Sequence, residues 1–160
     1  MREICAGFIK TPVGGMTAMW NTEGKIVALS FRGGSAALPE WFSESGKVID
    51  ALREELGQYF TGERKEFDLP IELIGTDFQK QVWNELLQQS YGEVITYSDL
   101  AKKIGKPNAA RAVGNAVRTN PICILVPCHR VVPASGGIGN YAWGTDKKWY
   151  LLSIEGAVHS

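Results

Sequence analysis

The sequence is poor in cysteine and histidine and has no long apolar run. Its 160 residues include three cysteines and two histidines, and no two cysteines form a CxxC pair. A sparse, odd set of cysteines argues against a disulfide framework and suits a reducing compartment. No stretch approaches the roughly 20 apolar residues that a membrane helix needs, and residues 1–10 lack a signal-peptide pattern. We therefore expect a cytoplasmic protein with no membrane partner.

The formal net charge of zero hides a split between the two parts of the chain. Residues 1–76 carry 8 Lys+Arg and 11 Asp+Glu, a balance of −3, whereas residues 77–160 carry 9 and 6, a balance of +3. Between residues 97 and 130 the only acidic side chain is Asp99, against six basic ones. A local basic face of this kind is sufficient for phosphate contact, although a solvated helix surface explains the same pattern.

The first part of the chain has the pattern of a small α/β domain that ends near residue 75. Apolar residues at helical spacing predict a helix from Lys47 to Phe60. Alternating apolar and polar residues, punctuated by turn formers, predict strands. The expected strands are Phe8–Lys10, Thr17–Trp20, Ile26–Phe31 and Phe67–Leu73.

The second part is predicted to be mainly helical. Thr76 with Gln79 fits a capping box that opens a first helix. Thr96 with Asp99 caps a second, short helix that stops at Gly105. A third helix is expected over 109–118 and a final one over 145–154. Two short helices joined by a tight turn containing glycine are the outline of a helix-turn-helix.

The third helix of this set is built from small side chains. Its first eight residues, 109–116, are five alanines or glycines with an arginine, a valine and an asparagine. Gly114 costs about 1 kcal/mol relative to alanine inside a helix, so it needs a reason. One reason is close packing on the core, and the other is insertion of the helix into a groove of DNA.

A candidate nucleophile follows the buried run 122–126. Pro127 favours a first helical turn, and a helix N-terminus together with Arg130 would stabilise a thiolate at Cys128. His129 is placed to take the thiol proton, directly or through a water. Glu155, at the end of the final helix, opposes the helix dipole and therefore asks for a partner such as a histidine.

These residues resemble the signature of the O6-alkylguanine-DNA alkyltransferases, the methylated-DNA–protein-cysteine methyltransferases. The resemblance rests on Pro127-Cys128-His129-Arg130-Val131 and on the segments 120–121 and 124–126 before it. Matching segments run through the second part at 92–97, 109–114, 135–137, 139–141, 151–152 and 155–156. The first part matches more loosely, through 10–14 and 29–31.

The resemblance implies a two-domain protein that repairs DNA by direct reversal. Residues 1–75 would form a ribonuclease H-like α/β domain of antiparallel strands plus a helix, and residues 76–160 a mainly α, winged-helix-like DNA-binding domain. The activity implied is a stoichiometric, irreversible transfer of an alkyl group from O6-alkylguanine in double-stranded DNA to Cys128, with O4-alkylthymine left open. The family resemblance implies no cofactor and one reaction per molecule, and we expect a monomer.

The resemblance also assigns roles to residues. Cys128 attacks the alkyl carbon, His129 deprotonates the thiol through a water, Glu155 orients His129, and Tyr97 protonates the leaving guanine. Arg111 enters the minor groove and fills the space left by a flipped-out base. The residues expected at DNA are Tyr97, Ala109, Ala110, Arg111, Ala112, Gly114 and Arg118. The residues expected around the base are Asn120, Val131, Tyr141, Ala142 and Trp143.

Two features depart from certain relatives. Some relatives bind zinc in the N-terminal domain, but here that part has Cys5 and no histidine, so no metal is expected. Trp143 stands where some relatives have a small residue, and an indole there would narrow the mouth of the base pocket. Cys123 is interpreted as a small buried hydrophobe and not as a second nucleophile.

Other functional classes remain open at this point. A DNA-binding module without catalysis fits the helices but leaves Cys128 without a use. A second role as a transcriptional activator is compatible with the domain, whereas a thiol hydrolase leaves the Arg111 helix unexplained. Product formed per protein molecule separates a binding module, an alkyl acceptor and a hydrolase as zero, one or many.

Overall fold

The computed structural model describes residues 4–31 and 47–158, which fall into two units. Unit 1 takes in the chain up to residue 73 together with Pro121–Cys123, and unit 2 takes in residues 74–120 and the chain from 124 onward. The return of three residues to unit 1 is not indicated by the sequence pattern. Within the described ranges, no helix combines the length and the apolar character that a membrane span requires.

Unit 1 is built on a three-stranded antiparallel sheet with the order β1-β2-β3. The strands are β1 (Ile4–Thr11), β2 (Gly14–Asn21) and β3 (Ile26–Ser30). The three strands predicted in this region are confirmed. β1 and β2 begin earlier than the alternating pattern indicates, because their pairing continues through glycines at positions 7, 14 and 15.

Helix α1 (Lys47–Phe60) packs against β1 with the bounds that its apolar spacing predicts. Ile49, Leu52 and Leu56 are buried on its inner face. The close approach depends on Gly7, since a Cβ at that position would lie 2.8 Å from Cδ1 of Ile49. A larger residue in β1 would push the helix away from the sheet.

The prediction of a strand over residues 67–73 was wrong. Only Ile71 pairs, as an isolated parallel bridge with Ile26. The backbone N–H of Ile26 donates to the carbonyl of Pro70 at 2.9 Å, and the N–H of Glu72 donates to the carbonyl of Ile26 at 3.0 Å. Pro70 has no N–H, so it cannot extend this ladder. Ile122 makes an equivalent bridge to Leu29, which fixes 121–123 to unit 1.

Unit 2 contains the four helices that the sequence predicts. They are α2 (Asp77–Leu86), α3 (Tyr97–Lys103), α4 (Ala110–Arg118) and α5 (Thr145–Ile154). α4 packs against both α2 and α3, and the indole N–H of Trp83 in α2 donates to the carbonyl of Ala116 at 2.8 Å. A left-handed Gly105, with φ of 78°, lies in the turn between α3 and α4.

The helix expected to begin at Cys128 is a single 3-10 turn, Cys128–Arg130. The chain then enters β5 (Val131–Val132), which pairs in parallel with β4 (Ile95–Thr96). Ile95 faces Val131 in that register. Extended backbone at Val131 therefore ends the turn before an α-helix can form.

The capping box that opens α2 gives a test of this part of the fold. The Thr76 hydroxyl accepts from the N–H of Gln79 at 3.1 Å, and the Gln79 side chain accepts from the N–H of Thr76 at 2.9 Å. Thr76→Ala should lower the free energy of unfolding by about 0.5–2 kcal/mol, measured by urea denaturation. Thr22→Ala, at an exposed turn, is the control, and an equal loss in both variants would contradict the capping role.

Candidate active site

The segment that leads to Cys128 contains a strained residue. Ile124 has φ of 72°, in the left-handed region, where an L-residue costs about 1–2 kcal/mol. The buried amide of Asn120 donates from Nδ2 to the carbonyl of Val126 at 2.8 Å and closes this turn. Since Asn120 directly follows the C-cap of α4, its side chain ties the end of α4 to the approach to Cys128.

Cys128 and His129 sit in the interior of unit 2. Cys128 is 5% exposed and His129 is 0% exposed. The N–H of Cys128 donates to the carbonyl of Val126 at 2.8 Å, which fixes the first residue of the 3-10 turn. The run that precedes Cys128, residues 122–126, is buried as its apolar sequence predicts.

Tyr97 is brought toward this turn by the short parallel pairing. β4 runs directly into α3, so the register of β4 on β5 sets the position of Tyr97, the first residue of α3. Burial raises the pKa of the Tyr97 phenol, the charge of Arg118 lowers it, and Cys128 raises it further. The half-buried phenol therefore stays protonated and able to donate at neutral pH.

A buried carboxylate lies next to His129. Nε2 of His129 is 2.7 Å from Oε2 of Glu155, the C-cap residue of α5. Burial raises the pKa of Glu155, but the hydrogen bonds from His129 and Arg130 outweigh it and lower the pKa to about 2. The partner that a carboxylate at a helix C-terminus requires is present.

The ionised Glu155 fixes where His129 carries its proton. A carboxylate can only accept, so the neutral imidazole is protonated on Nε2. Burial lowers the pKa of His129, partly offset by Glu155. The other nitrogen, Nδ1, is buried and has no hydrogen-bond partner among the described residues. His129 is thus a neutral base whose acceptor atom is available.

The expected source of thiolate stabilisation needs correction. A 3-10 turn of three residues has too few aligned peptides to supply the helix dipole that the sequence suggested. Arg130 does not serve as a free local charge either, because its guanidinium donates to both carboxylate oxygens of Glu155 and to the carbonyl of Gln89. The positive charge of Arg130 is therefore committed to the His129–Glu155 pair.

The residues expected at DNA divide between two faces of α4. Arg111, Ala112 and Arg118 are exposed, while Ala109 and Ala110 at its start are partly exposed. Gly114 lies on the buried face. A Cβ added to Gly114 would lie 3.7 Å from the Tyr97 ring, an ordinary contact. Core packing therefore does not exclude alanine at Gly114.

The residues expected around the base lie on two segments. Val131 is buried in β5, whereas Tyr141 and Trp143 are partly exposed and Ala142 is exposed. The last three occupy a turn in which the N–H of Gly144 donates to the carbonyl of Tyr141 at 3.1 Å. Asn120 braces the approach to Cys128 as described above.

Lys148 is the residue that sequence reasoning missed. It is 1% exposed, and its Nζ donates to the carbonyl of Val131 at 2.7 Å and to that of Asn140 at 3.1 Å. This lysine joins β5 to the residue before Tyr141. The available signal was its spacing, because Lys148 lies three and four residues before the buried Leu151 and Leu152 on one helix face.

Within residues 4–31 and 47–158, no group of three or more His, Cys, Asp or Glu side chains is arranged to hold an ion. None of the described cysteines forms a disulfide bond; Cys5 is partly exposed, and Cys123 and Cys128 are buried.

Two family models match the chain and together cover nearly all of it. Residues 77–157 match the 6-O-methylguanine DNA methyltransferase, DNA binding domain. Residues 4–73 match the 6-O-methylguanine DNA methyltransferase, ribonuclease-like domain. The chain therefore belongs to the 6-O-methylguanine DNA methyltransferase family.

Individual relatives agree with this membership. The chain is 41% identical over 150 residues to the methylated-DNA–protein-cysteine methyltransferase of Methanosarcina acetivorans, covering 92% of this chain and 96% of that protein. A crystal structure of the Mycobacterium tuberculosis O6-methylguanine methyltransferase has a TM-score of 0.86 at 37% identity, covering 99% and 96% of the two chains. The same TM-score, at 39% identity and with 95% and 92% covered, is found for the M. tuberculosis protein in complex with DNA. The two-domain architecture, antiparallel strands first and helices second, is shared with these structures.

The buried Lys148 gives a pH-dependent prediction. Burial lowers its pKa from 10.5 to about 8, against the opposing effect of Cys128. Between these values the unfolded chain holds a proton that the folded chain has released, so the lysine's contribution to stability rises with pH. Lys148→Met should cost about 1–3 kcal/mol at neutral pH, because it leaves the buried carbonyl of Val131 unpaired, and more at pH 10. Urea denaturation at both pH values measures this, with Lys147→Met as control; a cost that falls with pH would contradict it.

Proposed function

We propose that this protein repairs O6-alkylguanine in double-stranded DNA by transferring the alkyl group to Sγ of Cys128. The observation that carries the proposal is the buried hydrogen bond between His129 and Glu155, directly after a buried cysteine, in a chain of this family. The relatives named methylated-DNA–protein-cysteine methyltransferases support the reaction. The relative in complex with DNA supports the partner.

The reaction exchanges one bond for another. Sγ of Cys128 attacks the alkyl carbon, an S–C bond forms and the bond from that carbon to guanine O6 breaks. The thiol proton passes through a water to Nδ1 of His129. The Nε2–H of the same ring stays hydrogen-bonded to Glu155. The leaving guanine takes a proton at N3 from the Tyr97 phenol, and solvent restores both groups. No oxidant, reductant or cofactor is needed, and the thioether product has no easy leaving group, so each molecule reacts once.

DNA binding is assigned to the exposed face of α4. Arg111 would occupy the space left in the base stack, and Arg118 would contact phosphate. Small residues at 109, 110 and 112 would let the helix backbone approach the minor groove closely. Val131, Tyr141, Ala142 and Trp143 would surround the extrahelical base; the narrowing of the pocket mouth by Trp143 stays a prediction.

The finer features of the fold belong to the same proposal. We assign a ribonuclease H-like fold to residues 1–75 and a winged-helix-like fold to residues 76–160. The protein is proposed to act as a monomer in the cytoplasm, associated with the nucleoid when bound to DNA. O4-alkylthymine remains open as a second substrate.

The number of products per protein tests the function. With excess duplex carrying a labelled O6-methylguanine, one label per molecule should be transferred, on the peptide that contains Cys128. Cys128→Ala should transfer none and keep its DNA affinity, whereas Cys123→Ala should transfer one. No label on the unaltered protein would leave only a binding module, and many products per molecule would indicate a hydrolase.

The role of Arg111 is tested by comparing two substrates. Arg111→Ala should slow transfer from duplex DNA at saturating concentration by at least about tenfold, because base extrusion costs a few kcal/mol. Reaction with free O6-methylguanine base needs no extrusion and should be unchanged. Arg118→Ala, on the same helix, should instead weaken DNA binding and reduce its salt dependence. Equal slowing of both substrates by Arg111→Ala would assign that residue to the fold or the pocket.

A further inference from the structure

The guanidinium of Arg130 donates two hydrogen bonds to the carboxylate of Glu155, which is also the hydrogen-bond partner of His129. Its Nε donates to Oε1 of Glu155 at 2.8 Å and its Nη2 to Oε2 at 3.1 Å. Its Nη1 donates to the carbonyl of Gln89 at 2.6 Å, which anchors the third nitrogen. Oε2 is thus shared between Arg130 and Nε2 of His129, and the N–H of Gly92 approaches Oε1 at 3.4 Å.

The cluster is closed to solvent, so its charges must balance internally. Arg130 and Glu155 are each 6% exposed and His129 is fully buried. A buried carboxylate without a cation is strongly unfavourable, and the nearest group that can supply a proton or a charge to it is the imidazole. With Arg130 in place the positive and negative charges cancel, and the imidazole can remain neutral.

We propose that Arg130 is a positioning residue for the alkyl transfer: its fork neutralises Glu155 and holds it against Nε2 of His129, so that the imidazole stays uncharged with Nδ1 free to accept the thiol proton. This inference rests on the proposed function. In a purely structural ion pair, Arg130 would only stabilise the fold. Here it also keeps the neighbouring His129 side chain uncharged.

The groups that face His129 come from several elements. Glu155 and Lys148 approach from α5 and its end, Arg130 and Cys128 flank it on the 3-10 turn, and the ring of Tyr91 lies 5.9 Å from the Arg130 guanidinium. After burial, Glu155 raises the pKa of His129 while Arg130 and Lys148 lower it. Loss of the Arg130 charge removes one of the groups that lower the pKa of His129, and it also leaves Glu155 without the guanidinium that balances its charge. Both changes raise the pKa of His129.

The direct experiment is an NMR titration of the imidazole in the full chain. The sequence has only two histidines, His129 and His159, so the resonances are assigned with a single His159→Gln variant. In Arg130→Met the pKa of His129 should rise by about one pH unit or more, the effect of one nearby charge. Arg64→Met, which removes an ion pair to Glu55 in unit 1, should leave it unchanged.

The pH dependence of single-turnover transfer supplies the second readout. His129 must be neutral to act as a base, so the rate falls as pH drops through its pKa. In Arg130→Met this acid limb should move to higher pH by the same amount as the titration. Arg130→Lys, which keeps the charge, should keep the limb in place. A rate lowered equally at every pH, with an unmoved His129 titration, would overturn the proposal and leave Arg130 as a structural residue.

If Arg130→Met does not fold, a double variant still tests the proposal. Arg130→Met combined with Glu155→Gln removes both charges and leaves no uncompensated carboxylate, and His129 should then titrate at or below its original pKa. A raised pKa in that double variant, or in Arg130→Lys, would overturn the assignment. The titration needs no substrate, so absence of transfer by the unaltered protein would overturn the proposed function while the imidazole measurement still judges the role of Arg130.

Discussion

The site of this protein depends on one buried carboxylate. Glu155 ends α5 with its side chain inside unit 2, where it accepts hydrogen bonds from Nε2 of His129 and from two nitrogens of Arg130. An unpaired carboxylate at that depth would cost several kcal/mol. Because both partners follow Cys128 directly, satisfying Glu155 also fixes the backbone turn that carries Cys128.

Three small tertiary contacts hold the segments near this carboxylate in place. The two-residue pairing of β4 with β5 sets Tyr97 at the start of α3. The amide of Asn120 connects the end of α4 to the turn at Val126. Lys148 fastens β5 to the loop at Asn140. The helix that carries Arg111 and the turn that contains Cys128 are therefore connected by a side-chain hydrogen bond within one unit, and a shift of α4 would be transmitted to the approach to Cys128.

The sequence predicts the elements of this fold better than it predicts the environment of the site. Helices α1 and α2 follow from their apolar periodicity and α2 and α3 from their capping residues, because those signals are local. The strand expected over 67–73 fails, since Pro70 cannot continue a ladder. The 3-10 turn at Cys128, the left-handed Ile124 and the burial of Lys148 depend on what other segments supply. Arg130 was expected to act on the thiolate, but the carboxylate that occupies it comes from 25 residues further along the chain.

In the proposed reaction, a damaged base leaves the duplex and meets Cys128. The most direct measurement is a crystal structure of the Cys128→Ala variant bound to duplex DNA that contains O6-methylguanine. We expect an extrahelical base between Val131 and Tyr141, Arg111 in the vacated stack, and the methyl carbon about 3–3.5 Å from the Sγ position of the unaltered protein. A lesion that remains stacked in the duplex, or a base held away from residue 128, would contradict it.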